Sequence, residues 1–586
     1  MRRQIIALCV ALAGITQVAD ARDQDSDRRR PGRPEPQRRD LPSIDPNAVA
    51  PPSRSLPRET IPVPDRWRIV ESIGVKDNWL DPYNQNTLKA DRPLFDDWFI
   101  NLAAISDTVY ELRALPTPVG FQSSERAGSV DLFGREDQSI FNQNLITSLS
   151  FIKGDTAFKP PDLEFRITPV FNYNRVKVLE DRALFIDPRQ GTKRTDGHIA
   201  IQEFFVDYHI RNVSDRFDFD SLRVGIQPLT LDFRGFLFQD QQPGIRLFGT
   251  RDNNLWQYNV GWFKRLEKDT NSGLNTFASK IRDDDLVFAN LYHQDFPVPG
   301  YTVQGVFVYN RNREGNDKPF YDHNGFLQRP ASIGVERPSG YDVYYAGFNG
   351  DGHFGRLNLT HSFYAAFGDI SANQFTSITK NQKSKIRSFF GAVEPSIDFD
   401  WIRLRAQALY ASGDGNPFDN KARGFDAIFE NPQFAGAETS FWVRQPVPLI
   451  GGGGVAMSVR NGMLINLRTS KEHGQSNFIN PGTVLLGAGA DFDVLPELRI
   501  SANLNHIAMA NTAVVEVLRN QPLSSKNVGW DASIAAIYRP TFIQNVVFRA
   551  SGATLLGGGG FKDLFAVEGD RGKRFYSVLF NLILTY

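Results

Sequence analysis

The sequence predicts an all-β protein, a transmembrane antiparallel β-barrel of about 14–18 strands. Three observations predict it. The chain begins with a secretory leader and ends on an alternating strand with a terminal aromatic. After the leader it has no apolar run long enough to cross a bilayer as a helix.

The leader has the three expected parts. Arg2 and Arg3 give the positive start, Ile5 to Ile15 the short apolar stretch, and Ala19-Asp20-Ala21 the small-x-small cleavage pattern. Residues 1–21 are therefore expected to be a signal peptide, cut after Ala21. Cys9 is the one cysteine; Leu8 precedes it, where a lipoprotein leader needs a small residue. Its removal leaves a mature chain with no disulfide, thiolate nucleophile or cysteine-bound metal.

Residues 22–64 are rich in Pro and Arg, with runs such as Arg28-Arg29-Arg30. Apolar residues there are too sparse to offset the entropy of ordering, so a disordered tail is expected. Residues 65–96 carry Trp67, Trp79 and Asp81-Pro82-Tyr83-Asn84-Gln85-Asn86. They are expected to form a periplasmic or plug-like segment, with the barrel over 97–586.

The last strand alternates clearly. Tyr576, Val578, Phe580, Leu582, Leu584 and Tyr586 take every second position, with a more mixed set between them. A strand of this kind with a terminal aromatic resembles the assembly signal of bacterial outer-membrane barrels. The interior repeats the pattern. Trp256, Tyr258, Val260 and Trp262 alternate with Gln257, Asn259 and Gly261, and Phe204, Val206, Tyr208 and Ile210 with Glu203, Phe205, Asp207 and His209. Ile402, Leu404, Ala406, Ala408 and Tyr410 alternate with Arg403, Arg405, Gln407, Leu409 and Ala411.

Composition agrees. The 586 residues hold 66 basic and 66 acidic side chains, so zero net charge argues against an overall nucleic-acid binder. A mean hydropathy of −0.34 excludes helical membrane proteins only, because half of each barrel strand faces water. Residues 312–340 and 413–450, rich in Gly, Pro, Asn and Asp, read as long outer loops. The Gly runs 451–454 and 557–560 lack the Lys-Ser or Lys-Thr of a phosphate-binding loop and read as flexible loops.

Catalytic and metal motifs are absent. There is no G-x-S-x-G, H-E-x-x-H or P-loop, and the eight His are dispersed. No cofactor and no metal are expected. Asp414, Asn416 and Asp419 do not complete a calcium loop and read as a solvated turn. The charges opposite the apolar stripes are more informative. Arg166, Arg211, Arg223, Arg403, Arg405, Arg499 and Arg539 are pore-lining candidates, with Glu203 and Asp207 beside them. Two readings of this row stand side by side. Rings of basic groups attract anions in a pore, whereas Arg–carboxylate pairs across strands merely solvate the lumen.

Two stretches carry a family resemblance. Leu222-Arg223-Val224-Gly225-Ile226-Gln227-Pro228-Leu229, with Pro243-Gly244-Ile245-Arg246-Leu247, resembles a strand–loop–strand element of porin-like barrels of the alginate-export group. Leu409 to Gly415, followed by Gly424-Phe425-Asp426 and Ile428-Phe429, resembles a second element of that group. The resemblance implies an outer-membrane barrel conducting a polyanionic polysaccharide; the tail and the segment 65–96 depart from its pattern.

The expected function is passive conduction of small anionic solutes or an acidic glycan across a Gram-negative outer membrane. Outer-membrane lipid would surround the wall, and a periplasmic partner could meet the N-terminal segment. A docking barrel with an N-terminal plug is the alternative. A barrel enzyme is the further one, without a motif to support it.

Overall fold

The computed structural model describes residues 74–586 apart from 84–85, 120–132, 155–159, 217, 279, 330–337, 372–382, 437–438, 446, 450–453, 456–466, 468–470 and 566–574. The expected leader and the expected disordered tail lie outside the described residues.

The wall begins with β1 (Trp98–Ala114), β2 (Asp137–Lys153), β3 (Leu163–Lys177), β4 (Lys193–Asn212), β5 (Phe219–Thr230) and β6 (Gln239–Arg251). It continues through β7 (Trp256–Lys264), β8 (Asp284–His293), β9 (Tyr301–Asn312), β10 (Tyr341–Phe354), β11 (Leu357–Ile370) and β12 (Ser384–Phe399). The last six are β13 (Ile402–Ala411), β14 (Thr483–Leu495), β15 (Leu498–Met509), β16 (Asn527–Tyr538), β17 (Val546–Gly557) and β18 (Phe575–Thr585). Each pairs antiparallel with the next, and β18 pairs back onto β1 from Ile105↔Thr585 to Ala114↔Tyr576. The result is a closed barrel of 18 strands. Closure satisfies the backbone of every strand without water, which the bilayer core demands.

Alternation sorts the wall into two faces. The row with Tyr576, Val578, Phe580 and Leu584, and its counterparts Trp256, Val260 and Trp262 on β7, is solvent-exposed in the isolated chain. Such a continuous exposed apolar surface is a lipid-facing one. Aromatics gather at its two ends: Trp98 stacks on Phe151 at one, with centroids 4.6 Å apart, and Tyr309 on Tyr344 at the other, at 4.8 Å. These are the two interfacial girdles of a membrane barrel, and the protein is placed in the outer membrane by this wall.

The two ends differ. Residues 355–356, 400–401 and 496–497 are tight turns at the end that holds Tyr586, whereas 265–283, 313–340 and 412–482 connect strands at the other. Short turns mark the periplasmic side and long loops the outer side. One irregularity resets the alternation. Pro169 of β3 has no N–H to donate, and between Thr168↔Glu203 and Pro169↔Ile201 the partner strand β4 holds one extra residue, Gln202. This bulge lets Ile199 and Phe204, of opposite parity, both face lipid.

The described part of the N-terminal segment lies at the periplasmic end. Lys89–Phe95 pairs with the start of β1, which β18 does not reach. Its neighbourhood holds the terminal residue: Asn86 Nδ2 donates to the Tyr586 hydroxyl at 3.0 Å, that hydroxyl donates to Trp79 O, and Lys89 Nζ stands 4.0 Å over the ring.

Gly557 to Gly560 differs from the expected flexible loop. Gly557 ends β17 and Gly559–Phe565 is a short helix. The glycines serve close approach: a Cβ on Gly558 would come within 2.6 Å of Asn527 O. The other Gly run lies outside the described residues except for Gly454.

The core sits inside the barrel, in its outer half. Phe425, Phe429, Phe434, Phe441, Trp442 and Phe478 of the 412–482 loop are buried with Phe263, Phe288, Tyr345, Tyr364 and Phe390 of the inner wall. The outer half of the lumen is thus filled by folded polypeptide.

Candidate functional site

The lumen is narrowed by its own loops, above all by the described parts of 412–482. After β13 this loop runs beside the outer end of β12, where Lys421–Ala422 pairs parallel to Lys385–Ile386. It then crosses to the β5–β6 loop, where Gln239 N donates to Phe429 O at 2.9 Å and Asn431 N to Gly235 O at 2.9 Å. It returns to β15, where Asn505 Nδ2 donates to Ala435 O at 3.1 Å. Beside β16, the Asp531 carboxylate accepts from the Ser440 hydroxyl and from the N–H of Phe441 at 3.0 Å. At β1, Gln445 Nε2 donates to Glu111 Oε1 at 2.6 Å and Arg113 Nη1 to Gln445 Oε1 at 2.8 Å. One segment therefore touches the wall around much of its circumference.

A buried ion network locks the loops to each other. Arg282 binds Glu314 through two hydrogen bonds of 2.9 Å. Arg329 binds Glu267 at 2.5 Å and lies 3.6 Å from Glu314, and His473 Nδ1 is 3.3 Å from Glu267. Lys471 Nζ reaches Asp426 at 2.5 Å and Glu430 at 3.0 Å. Burial by itself raises the Glu267 carboxyl, but His473, Arg282 and Arg329 pull it down to about 2. Glu314 is likewise held well below the usual carboxylate range, its burial outweighed by Arg282 and Arg329.

Beneath the loops, on the periplasmic half of the inner wall, most of the candidate residues gather in two sectors. On β12–β15 the arginines are matched with carboxylates. Arg403 binds Asp398 at 2.6 Å, Arg405 binds Asp491 at 3.0 Å, and Arg499 binds Asp493 at 2.6 Å. On β3–β6, Arg166 binds Glu164 at 2.6 Å and is 3.8 Å from Glu203, which also accepts from Thr168 Oγ1 at 2.9 Å. Arg223 binds Asp207 at 2.6 Å.

Arg246 completes that second sector, directly opposite Arg223 in the β5–β6 register. Both guanidiniums lie over Phe248, at 5.5 and 4.8 Å, and Arg223 also lies 4.4 Å from the Phe205 ring. Arg246 Nε is buried without a hydrogen-bond partner, and among the described residues Arg246 makes no ion pair. The local geometry depends on Gly225 beside Arg223, at φ +127°, where a Cβ would stand 2.8 Å from Phe205 Cα. Next to it Gln227 is fully buried, donating to Arg223 O at 3.2 Å and Gly244 O at 3.1 Å. Arg246 is not among the sequence candidates, although its place between Ile245 and Leu247 gives it the inward parity.

Two candidates stand elsewhere. A bulge between His209↔Ser221 and Arg211↔Asp220 shifts Arg211 into the outward row. There it binds Asp220 at 2.8 Å at the periplasmic rim, beside Arg251. Arg539 follows the last residue of β16 in an exposed turn, its N–H donating to Glu497 O at 2.8 Å. Strand parity ends where a bulge or turn intervenes, so alternation alone does not fix where these two side chains stand.

Asp414 is buried and accepts from Asn416 N at 2.8 Å and Arg423 N at 3.0 Å, so it braces a turn of the chain. Among the described residues no group of three or more His, Cys, Asp or Glu side chains could hold a metal ion. No helix among them is long and apolar enough to cross a membrane.

No protein-family model and no curated protein sequence matches the chain. Among solved structures it is similar to OccK9 (OpdG) of Pseudomonas aeruginosa, with 11% identity over 83% of this chain and 98% of that one, at a TM-score of 0.44. It is similar also to OccAB1 of Acinetobacter baumannii, with 10% identity over 86% of this chain and 99% of that one, at a TM-score of 0.44. OccK2 (OpdF) of Pseudomonas aeruginosa gives 12% identity over 83% and 97%, at a TM-score of 0.41.

Proposed function

We propose that the protein is a passive outer-membrane channel for small anionic solutes, with selectivity set on the β5–β6 wall. The observation that carries this reading is the facing pair Arg223 and Arg246, which have one carboxylate, Asp207, in ion-pair contact. A guanidinium with free donors on a partly desolvated wall binds a carboxylate or phosphate more strongly than one spent on a neighbour. The opposite sector supports no such preference, since Arg403, Arg405 and Arg499 each have an acidic partner.

The filled outer half of the lumen favours small solutes over the acidic polysaccharide that the alginate-export resemblance implies. In planar bilayers under a KCl gradient, the reversal potential should indicate anion preference. Arg223→Gln/Arg246→Gln should move it toward non-selective conduction. A cation-selective wild type, or a selectivity untouched by both substitutions, would overturn the reading.

A further inference from the structure

The outer rim of β3 and β4 carries a set of cations that neither the fold nor the channel uses. Lys177 and Lys193 are direct register partners across these strands. Arg175 precedes Lys177 by two positions and so shares its face. That face is the lipid-facing one, because the same parity holds Phe171 and Tyr173 on β3 and Ile199 on β4, all exposed. Arg175, Lys177 and Lys193 are exposed as well, and among the described residues none of them makes an ion pair.

Like charges directly opposite each other destabilise a strand pair unless something neutralises them. The acidic residue at the start of the adjacent strand, Asp137 on β2, is engaged by the Tyr576 hydroxyl at 3.2 Å. Elsewhere on the same rim some cations are matched. Lys264 binds Asp285 at 2.9 Å, and Arg313 binds Asp342 at 2.7 Å. At the β3–β4 rim three cations without an ion-pair partner among the described residues stand together on two paired strands. Directly below it Phe141 and Tyr173 meet edge to face at 6.2 Å, marking the headgroup level, and Phe171 and Ile199 continue the surface into the bilayer.

We propose that Arg175, Lys177 and Lys193 form a binding site for the phosphate groups of a glycolipid in the outer leaflet. The cations supply the charge and the donors, Arg175 with a planar fork that suits phosphate oxygens. The apolar surface underneath takes the acyl chains, which is why the occupant is a lipid rather than free phosphate.

The test uses the full-length barrel in detergent and a bisphosphorylated, acylated glucosamine disaccharide as probe, with binding followed by native mass spectrometry. Wild type should retain the lipid, and Arg175→Gln/Lys177→Gln/Lys193→Gln should bind it about tenfold or more weakly. The dephosphorylated lipid should bind both proteins equally poorly, and inorganic phosphate should not compete. Lys264→Gln, which alters a matched cation, should bind as wild type. The triple variant removes a like-charge contact, so the barrel should retain its heat-modifiable gel mobility. Equal retention of the phosphorylated lipid by wild type and triple variant would overturn the site. Displacement by inorganic phosphate would overturn its assignment to a lipid.

Discussion

The same arginine–carboxylate geometry occurs in two settings in this barrel. Arg282 and Glu314, in the loops, form a bidentate pair with side chains 0% and 1% exposed. Arg499 and Asp493, at the periplasmic mouth, form a bidentate pair with side chains 53% and 49% exposed. Bond lengths are alike, 2.9 and 2.9 Å in the first and 2.6 and 2.9 Å in the second. Water is the difference. Removing one partner of a buried pair strands the other charge in a poor solvent and costs about 3–5 kcal/mol. At the mouth, water resolvates whichever charge remains, and such pairs contribute about 0–1 kcal/mol. Identical chemistry therefore fastens loops in one place and lines a water-exposed wall in the other.

The largest expected effect follows from the buried pair. Glu314→Ala leaves Arg282 without its bidentate partner and takes from Arg329 one of its two carboxylates. The loops should lose about 3–5 kcal/mol of packing while the strand wall stays closed. Limited proteolysis should then cut within 412–482, conductance should rise, and the gel mobility of the folded barrel should be unchanged. Loops that stay protected would show that their apolar core alone holds them.

Acid should do the same more gradually. The Glu267 carboxyl is depressed to about 2, so its contribution is complete above the usual carboxylate range and is lost as pH falls through the folded value. For a side chain this buried the contribution is roughly 3 kcal/mol. Single-channel conductance should be flat from neutral pH to about 4.5 and should rise between about 4 and 2. A transition well above the carboxylate range would overturn this assignment.

How much of this was legible in the sequence follows from where parity holds. Strands with one lipid-facing and one watery face, such as Trp256 to Trp262, were readable because period-2 alternation is local. The inward assignments of Arg166, Arg223, Arg403, Arg405 and Arg499 came from the same rule. The rule does not extend to Arg211 and Arg539, where a bulge and a turn end the alternation. The inward fold of 412–482 was not readable from composition, because a loop rich in Gly, Asn and Asp looks solvated. Its signal was the aromatics Phe425, Phe429, Phe434, Phe441 and Trp442, which an exposed loop has no reason to keep. The ion network was hidden for a different reason: Arg282 and Glu314 come from loops that the barrel brings together, and no spacing rule links them.

A smaller effect is expected where the loop is pinned to the wall. Asp531 accepts from the Ser440 hydroxyl and from the N–H groups of Phe441 and Trp442, the latter at 3.3 Å. Asp531→Asn turns one acceptor into a donor facing donors and should cost about 1–3 kcal/mol. Hydrogen exchange should rise over 439–445 and stay low over 471–482, which Lys471 anchors independently. Exchange that rises equally in both segments would mean that the loop releases as one unit.

The smallest effect belongs to the exposed pair that opened the comparison. Arg499→Ala frees Asp493 into water and should change thermal stability by less than about 1 kcal/mol. Its influence on selectivity should also be slight and should fall with salt, because a half-exposed charge is screened within about 10 Å at 0.1 M. Arg246→Gln removes a cation that has no ion-pair partner among the described residues, so its influence should persist as salt is raised. Reversal potentials of the two variants, compared at low and high ionic strength, separate the two settings. If Arg499→Ala shifted selectivity as far as Arg246→Gln, the periplasmic mouth would be the narrow, poorly hydrated part of the passage. Matched pairs would then filter as strongly as the unmatched arginine, and burial would no longer explain the difference between the two regions.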